Sequence, residues 1–225
     1  MCGRYFLILT LDDLIEIFGV EKNGFLEPRY NIAPSQSVPA IRQEETGRRL
    51  VMLRWGLIPP WAKDTKIGYR TINARSETAA TLPSFRSAFR QRRCLIPALG
   101  FFEWDKQSGS RQPYQIRRRD DRPMAFAGLW ERWQNPQDQA VIESCTILTT
   151  KANEEVSRIH DRMPVILEPS GFSLWLDPDE HRPEKLQPLL RPVEDGQLAL
   201  KPVSTYVNSP RNEGEKCLEP VGEKP

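Results

Sequence analysis

Short runs of aliphatic, β-branched and aromatic residues recur along the chain, broken by turn-forming residues, and this pattern predicts strands more often than helices. The first is Tyr5-Phe6-Leu7-Ile8-Leu9, and others follow at 38–42, 50–55, 93–97, 101–104, 114–118, 124–129, 144–149, 164–167 and 198–203. Helical spacing is clearest just after the first run. Leu11, Leu14, Ile15 and Phe18 share one face, Thr10 stands at the N-cap, Asp12 and Asp13 occupy the first turn, and Gly19 is the stop. Further short helices are predicted near 74–90, 153–159, 170–176 and 184–190, and the stretch from Val20 to Pro39 reads as turns. No regular alternation of strand and helix and no internal repeat is present. The expected fold is α+β, with a mostly antiparallel, barrel-like β core and short flanking helices.

At 225 residues, 39% of them hydrophobic, the chain is expected to form a single domain over 1–225, with a polar, loosely held tail after about 209. Lys+Arg 32 against Asp+Glu 30 leaves a formal charge of +2, so any polyanion must be held by a local arrangement of charge. No apolar run approaches a membrane span and the N-terminus lacks the regions of a signal peptide, so a soluble, cytoplasmic protein is expected. The four cysteines at 2, 94, 145 and 217 form no closely spaced group with each other or with histidine, so neither a metal site nor a cofactor is expected. Cys94 and Cys145 lie in strand-like runs and read as buried apolar residues, and all four suit a reducing compartment.

The opening Met1-Cys2-Gly3-Arg4-Tyr5 carries the most unusual chemistry. Removal of Met1 would leave an α-amine and a thiol on one residue, a 1,2-aminothiol. An aldehyde condenses with such an amine to an imine, and the thiol closes it into a five-membered thiazolidine. At about pH 7.5 an α-amine of pKa ~7.8 is roughly one-third neutral, against about 0.1% for a lysine. Chain termini ordinarily fray, but the apolar run at Tyr5 to Leu9 would anchor this one in the core.

Four other positions could join it. Glu103, in Gly100-Phe101-Phe102-Glu103-Trp104, falls by alternation on the face opposite Phe102 and Trp104. A carboxylate among aromatics either has its pKa raised, which suits proton transfer, or pairs with an arginine. His160 occupies an apparent helix-to-strand turn and can be structural or catalytic, whereas His181 reads as solvated. Asn73 either caps the helix expected after it or holds an amine or oxyanion. In Arg54-Trp55-Gly56-Leu57-Ile58-Pro59-Pro60-Trp61, Trp55 reads as core, while Trp61 packs in the core or stacks on bases. Clustered arginines at 86, 90, 92, 93 and 117–119 are consistent with solvated faces. The single arginines at 4, 75 and 162 stand beside the candidates and suit phosphate.

In order, Met1-Cys2-Gly3-Arg4-Tyr5, Tyr30-Asn31-Ile32-Ala33-Pro34, Trp55-Gly56-Leu57-Ile58-Pro59-Pro60-Trp61, Asn73-Ala74-Arg75-Ser76-Glu77-Thr78, Arg93-Cys94-Leu95-Ile96-Pro97, Gly100-Phe101-Phe102-Glu103-Trp104 and His160-Asp161-Arg162-Met163-Pro164 resemble the SRAP family, named for SOS-response-associated peptidases. The resemblance spans essentially the whole chain. It implies a sensor of abasic sites in single-stranded DNA that crosslinks to the lesion through the mature Cys2, with a possible lyase side branch and self-removal of Met1. It also implies that Asn73 orients the amine, Glu103 handles protons, His160 assists sugar ring opening, Arg75 and Arg162 grip phosphates with help from Arg4, and Trp61 lies at a strand–duplex junction. The expected partner is single-stranded DNA containing abasic sites, met by a monomer that, in a bacterium, is cytoplasmic and joins the nucleoid when bound. Two rivals stay open: a thiol peptidase using Cys2, His160 and Asn73, and a noncatalytic module that binds single strands reversibly.

Overall fold

The computed structural model describes residues 2–21, 26–105 and 111–221. Its strands in chain order are β1 (Tyr5–Leu7), β2 (Arg29–Ile32), β3 (Ser37–Glu44), β4 (Gly47–Trp55), β5 (Asn73–Arg75), β6 (Arg93–Ala98), β7 (Gly100–Trp104), β8 (Pro113–Arg118), β9 (Met124–Gln134), β10 (Val141–Lys151), β11 (Arg162–Pro164), β12 (Ile166–Leu167) and β13 (Leu198–Pro202). The α-helices are α1 (Leu11–Phe18), α2 (Arg86–Gln91), α3 (Glu154–Ser157), α4 (Phe172–Leu176) and α5 (Pro183–Leu186). This is the expected α+β architecture.

Five strands close on themselves. β3 and β4 form a hairpin from Ser37↔Arg54 to Glu44↔Gly47, β3 meets β6 at Ile41↔Leu95, and β6 pairs with β9 from Arg93↔Leu129 to Ala98↔Met124. β9 turns back into β10, and β10 completes the ring by running parallel to β4 at Arg54↔Ser144 and Trp55↔Cys145. Closure leaves none of these five strands as a bare edge. β10 outruns the barrel, and its end carries β5 in parallel and β11 antiparallel. A second sheet, in the order β13-β8-β7-β1-β2, lies against the barrel.

Alternation along β1 joins the two layers. Tyr5 belongs to the main core and meets Trp55 and Phe126 edge-on, with ring centroids 5.5 and 5.9 Å apart. Phe6 points the other way, into a smaller cluster with Phe102, Val203, Val207 and Cys217. The start of the chain is therefore buried on both faces of its sheet.

Helix α1 forms as its residues predict, because Thr10 and Asp13 complete a reciprocal capping box and Gly19 ends the helix at φ 65°. The helix predicted near 74–90 does not form as such: Asn73–Arg75 is strand β5, and only Arg86–Gln91 is α-helical. The paired edge of β10 satisfies the backbone there more completely than one isolated turn of helix would. The turn-rich stretch from Val20 to Pro39 likewise contains β2. Helix 184–190 shortens to α5 followed by a 3₁₀ turn, with Pro188 removing a backbone donor. The polar segment after 209, expected to be loosely held, is tied down through residue 221. Asn31 is fully buried and its amide donates to the Ser209 and Asn212 carbonyls at 2.9 and 2.8 Å, while Val203 bridges to Pro220. Among the described residues, no helix is long and apolar enough to cross a membrane.

Candidate active site

Cys2 is positioned by the ladder between β1 and β7. Tyr5 pairs with Phe101, and the Arg4 carbonyl accepts a hydrogen bond from the Phe102 amide at 2.9 Å. Antiparallel continuation carries the chain before Arg4 past Phe102 toward Glu103. Cys2 is fully buried. Its thiol is pushed well above its usual range, first by that burial and then by the nearby negative charge of Glu103. Glu103 is itself buried and takes the face opposite Phe102 and Trp104, as alternation predicts. A thiol and a carboxylate thus share one enclosed space.

Asn73 reaches the same core from the barrel side. Trp55 is buried as expected, and its indole N–H donates to the Ile72 carbonyl at 2.8 Å while its ring packs on Tyr5. Three residues from Cys2, a ring therefore touches the side chain that fixes the backbone before Asn73. Asn73 sits in a strand and does not cap a helix. Its Nδ2 reaches the Ile147 carbonyl only at 3.4 Å, and its Oδ1 is buried with no hydrogen-bond partner. An unpaired buried acceptor costs about 1–3 kcal/mol, and a ligand amine would relieve it.

His160 lies between α3 and β11, in the turn predicted for it, and is buried. Its Nδ1 is 3.0 Å from the Arg162 amide nitrogen and 3.1 Å from the Arg162 carbonyl oxygen. Nδ1 is thus held by the backbone, with Asp161 Oδ1 also 3.3 Å away. His181 is exposed. The arginines separate by environment. Arg75 is exposed at the end of β5. Arg162 forms a two-pronged ion pair with Glu77 at 2.7 and 2.9 Å. Arg4 turns toward the smaller cluster, where Nη1 donates to Asn31 Oδ1 and the Val207 carbonyl, each at 2.8 Å, and its guanidinium lies over Trp104.

The loop between β4 and β5 presents Trp61. Ile58 and Ala62 pin it to the barrel, the Ile58 amide donating to Ser144 Oγ and the Ala62 carbonyl accepting from the Trp133 indole, both at 2.8 Å. Trp61 itself is 57% exposed. Gly56 closes the loop base at φ 123°, where an added Cβ would lie 2.6 Å from the Gly68 carbonyl oxygen. Tyr69, 66% exposed on the same loop, had no distinguishing sequence signal, because nothing local separates it from a core tyrosine. Glu77 was visible in the Asn73–Thr78 motif, but its pairing with Arg162 is a contact between residues 85 apart.

Residues 1–210 match the family model described as SOS response associated peptidase (SRAP). This chain belongs to the SRAP family. It is 44% identical to the abasic site processing protein YoqW of Bacillus subtilis, over 97% of this chain and 99% of that one. It is 33% identical to the abasic site processing protein HMCES of Gallus gallus, over 89% of this chain and 68% of that protein. A crystal structure of a protein from Bacteroides thetaiotaomicron superposes with a TM-score of 0.88, covering 98% of this chain and 100% of the other at 24% identity, which establishes the shared fold. The SRAP fold here is thus a closed barrel with a second sheet carrying the N-terminus onto it.

Proposed function

We propose that this SRAP protein acts on abasic sites in single-stranded DNA and crosslinks to them through the mature Cys2. The observation that carries the reading is the placement of Cys2, a second residue held in the core beside Glu103. The names of its relatives support the substrate class. The α-amine freed by loss of Met1 attacks C1′ of the ring-opened sugar, and the resulting carbinolamine loses water to give an imine. Glu103 supplies and recovers protons in that dehydration. The thiol then adds to C1′ and closes the thiazolidine, its proton passing to the nitrogen. Asn73 Oδ1 accepts from the amine, and Nε2 of His160 assists opening of the closed sugar. Arg75 and Arg162 hold the flanking phosphates, and Trp61 meets bases where the single strand joins a duplex. Because an imine acidifies the C2′ hydrogens, strand cleavage by β-elimination competes with ring closure.

The test mixes protein of confirmed intact mass with a single strand carrying one abasic site and resolves the products on a denaturing gel. Wild type is expected to give a denaturation-resistant adduct; Cys2→Ala and a variant carrying one extra N-terminal residue give none, and an undamaged strand gives none. An equal adduct from the extended variant would exclude the aminothiol route. Turnover of peptide substrates that survives in Cys2→Ser would favour a thiol peptidase instead.

Two kinetic results are also expected. Glu103→Gln and His160→Ala each slow formation or reversal of the adduct, by about 10²-fold if they transfer protons, as read from single-turnover time courses; unchanged rates would remove those roles. In a pH series, formation rises as the α-amine loses its proton and levels off by about pH 9. The sign follows from the two groups: deprotonation activates the amine, whereas burial and then the charge of Glu103 disfavour the thiolate. A further rise above that plateau would mean that the thiolate, not the thiol, closes the ring.

A further inference from the structure

Glu77 occupies the edge of Arg162 that a phosphate would use. Its two carboxylate oxygens accept from Nη1 and Nη2 at 2.7 and 2.9 Å, and Nη2 also donates to the Thr149 carbonyl at 2.6 Å. That same carbonyl accepts from the Ser76 amide at 2.8 Å. One oxygen therefore fixes both Arg162 and the residue before Glu77, so the pair is set by backbone on both sides. The remaining guanidinium nitrogen, Nε, is buried without a partner. Arg162's side chain is only 11% exposed, against 44% for Glu77. A two-pronged phosphate contact needs the parallel N–H groups that the carboxylate already fills. The carboxylate is held below its usual pKa, chiefly by its hydrogen bonds from Arg162 with a smaller contribution from the charge of Arg75, so it is ionised at neutral pH. It therefore offsets both arginines assigned to phosphate.

We infer that Glu77 is an internal stand-in for a DNA phosphate, which holds Arg162 in a gripping geometry and must be displaced before a strand can be gripped. The inference rests on the reading of Arg162 as a phosphate contact. Displacement weakens binding to any strand equally, but only a strand with an aldehyde is afterwards held by a covalent bond at Cys2. An intact strand has nothing to replace the lost affinity and leaves. Glu77 thus trades non-covalent affinity for discrimination, and it does so in a chain whose net charge of +2 gives little general attraction for DNA.

The experiment measures binding of fluorescent, undamaged single-stranded DNA to Cys2→Ala protein over a range of salt, so that no covalent step contributes. Adding Glu77→Gln is expected to tighten binding about tenfold at low salt and to steepen the salt dependence by about one single-strand phosphate contact, a slope change of ~0.7. Arg162→Ala is expected to weaken binding, and Glu77→Gln added to it to give no gain. Unfolding temperatures of the variants check that the fold is kept. Weaker or unchanged binding by Glu77→Gln, with Arg162→Ala still weakening it, would overturn the inference and make Glu77 a support for Arg162. No loss in Arg162→Ala would instead overturn the phosphate role of Arg162, and the inference with it. In wild-type Cys2 protein, Glu77→Gln is further expected to make undamaged competitor slow abasic-site crosslinking about tenfold more effectively.

Discussion

Cys2→Ser protein is expected to lose the denaturation-resistant adduct by at least ~10²-fold while still forming the imine, which borohydride reduction traps at near wild-type yield. The α-amine is unchanged by this substitution, so every step up to the imine survives. What changes is closure. A sulfur nucleophile gives a ring that persists, whereas an oxygen nucleophile gives a hydrolytically labile one. The residue is fully buried, so the serine hydroxyl brings a desolvation penalty of about 1–3 kcal/mol unless it finds a partner. The unfolding temperature therefore falls by a few degrees without loss of the fold. Reductive trapping separates this outcome from a simple loss of structure, since a misfolded protein would trap nothing. A persistent adduct in the serine protein, surviving heat and denaturant without reduction, would remove the thiazolidine from the mechanism.

Gly100→Ala is expected to destabilise the protein by about 3 kcal/mol or more, lowering the unfolding temperature by roughly 6–12 °C, and to abolish crosslinking with it. The added Cβ would lie 2.3 Å from Phe6 Cζ and 2.6 Å from the Ile116 carbonyl oxygen. Phe6 is fully buried and cannot swing away, and the carbonyl is main chain in β8. Relief requires moving β7 away from both β1 and β8, and the β1–β7 ladder is the one that leads the chain before Arg4 toward Glu103. Gly171→Ala is the control. Its Cβ would meet only the end of the Leu189 side chain at 3.1 Å, which can shift, so a change within about 1 kcal/mol is expected. If Gly100→Ala melts within 2 °C of wild type and crosslinks normally, then the β1–β7 register does not control the site.

Much of the fold was legible because its signals are local. Thr10, the spaced apolar residues and Gly19 define α1 within ten residues, and its capping box forms as written. The apolar runs became strands, including the one that anchors the N-terminus. The failures share a cause. Asn73-Ala74-Arg75-Ser76 reads well as a capped helix start, yet β10 supplies partners for its backbone that no local signal announces. Asn31 lay in turn-rich sequence, but it is the buried hub that holds Arg4 and residues 207–212 together.

The sequence by itself determined the family of this protein and singled out the candidates for its chemistry: a cysteine at position 2, and the glutamate and histidine of two later motifs. These follow from side-chain identity and order along the chain. Only the tertiary structure decided that Cys2 and Glu103 share a buried space, that Asn73 arrives on a strand with an unpaired oxygen, and that Glu77 closes on Arg162. Contacts across 74 to 101 residues depend on barrel closure and on the register of strands set by the whole core, and a free-energy minimum shared among so many residues leaves no mark at any one of them.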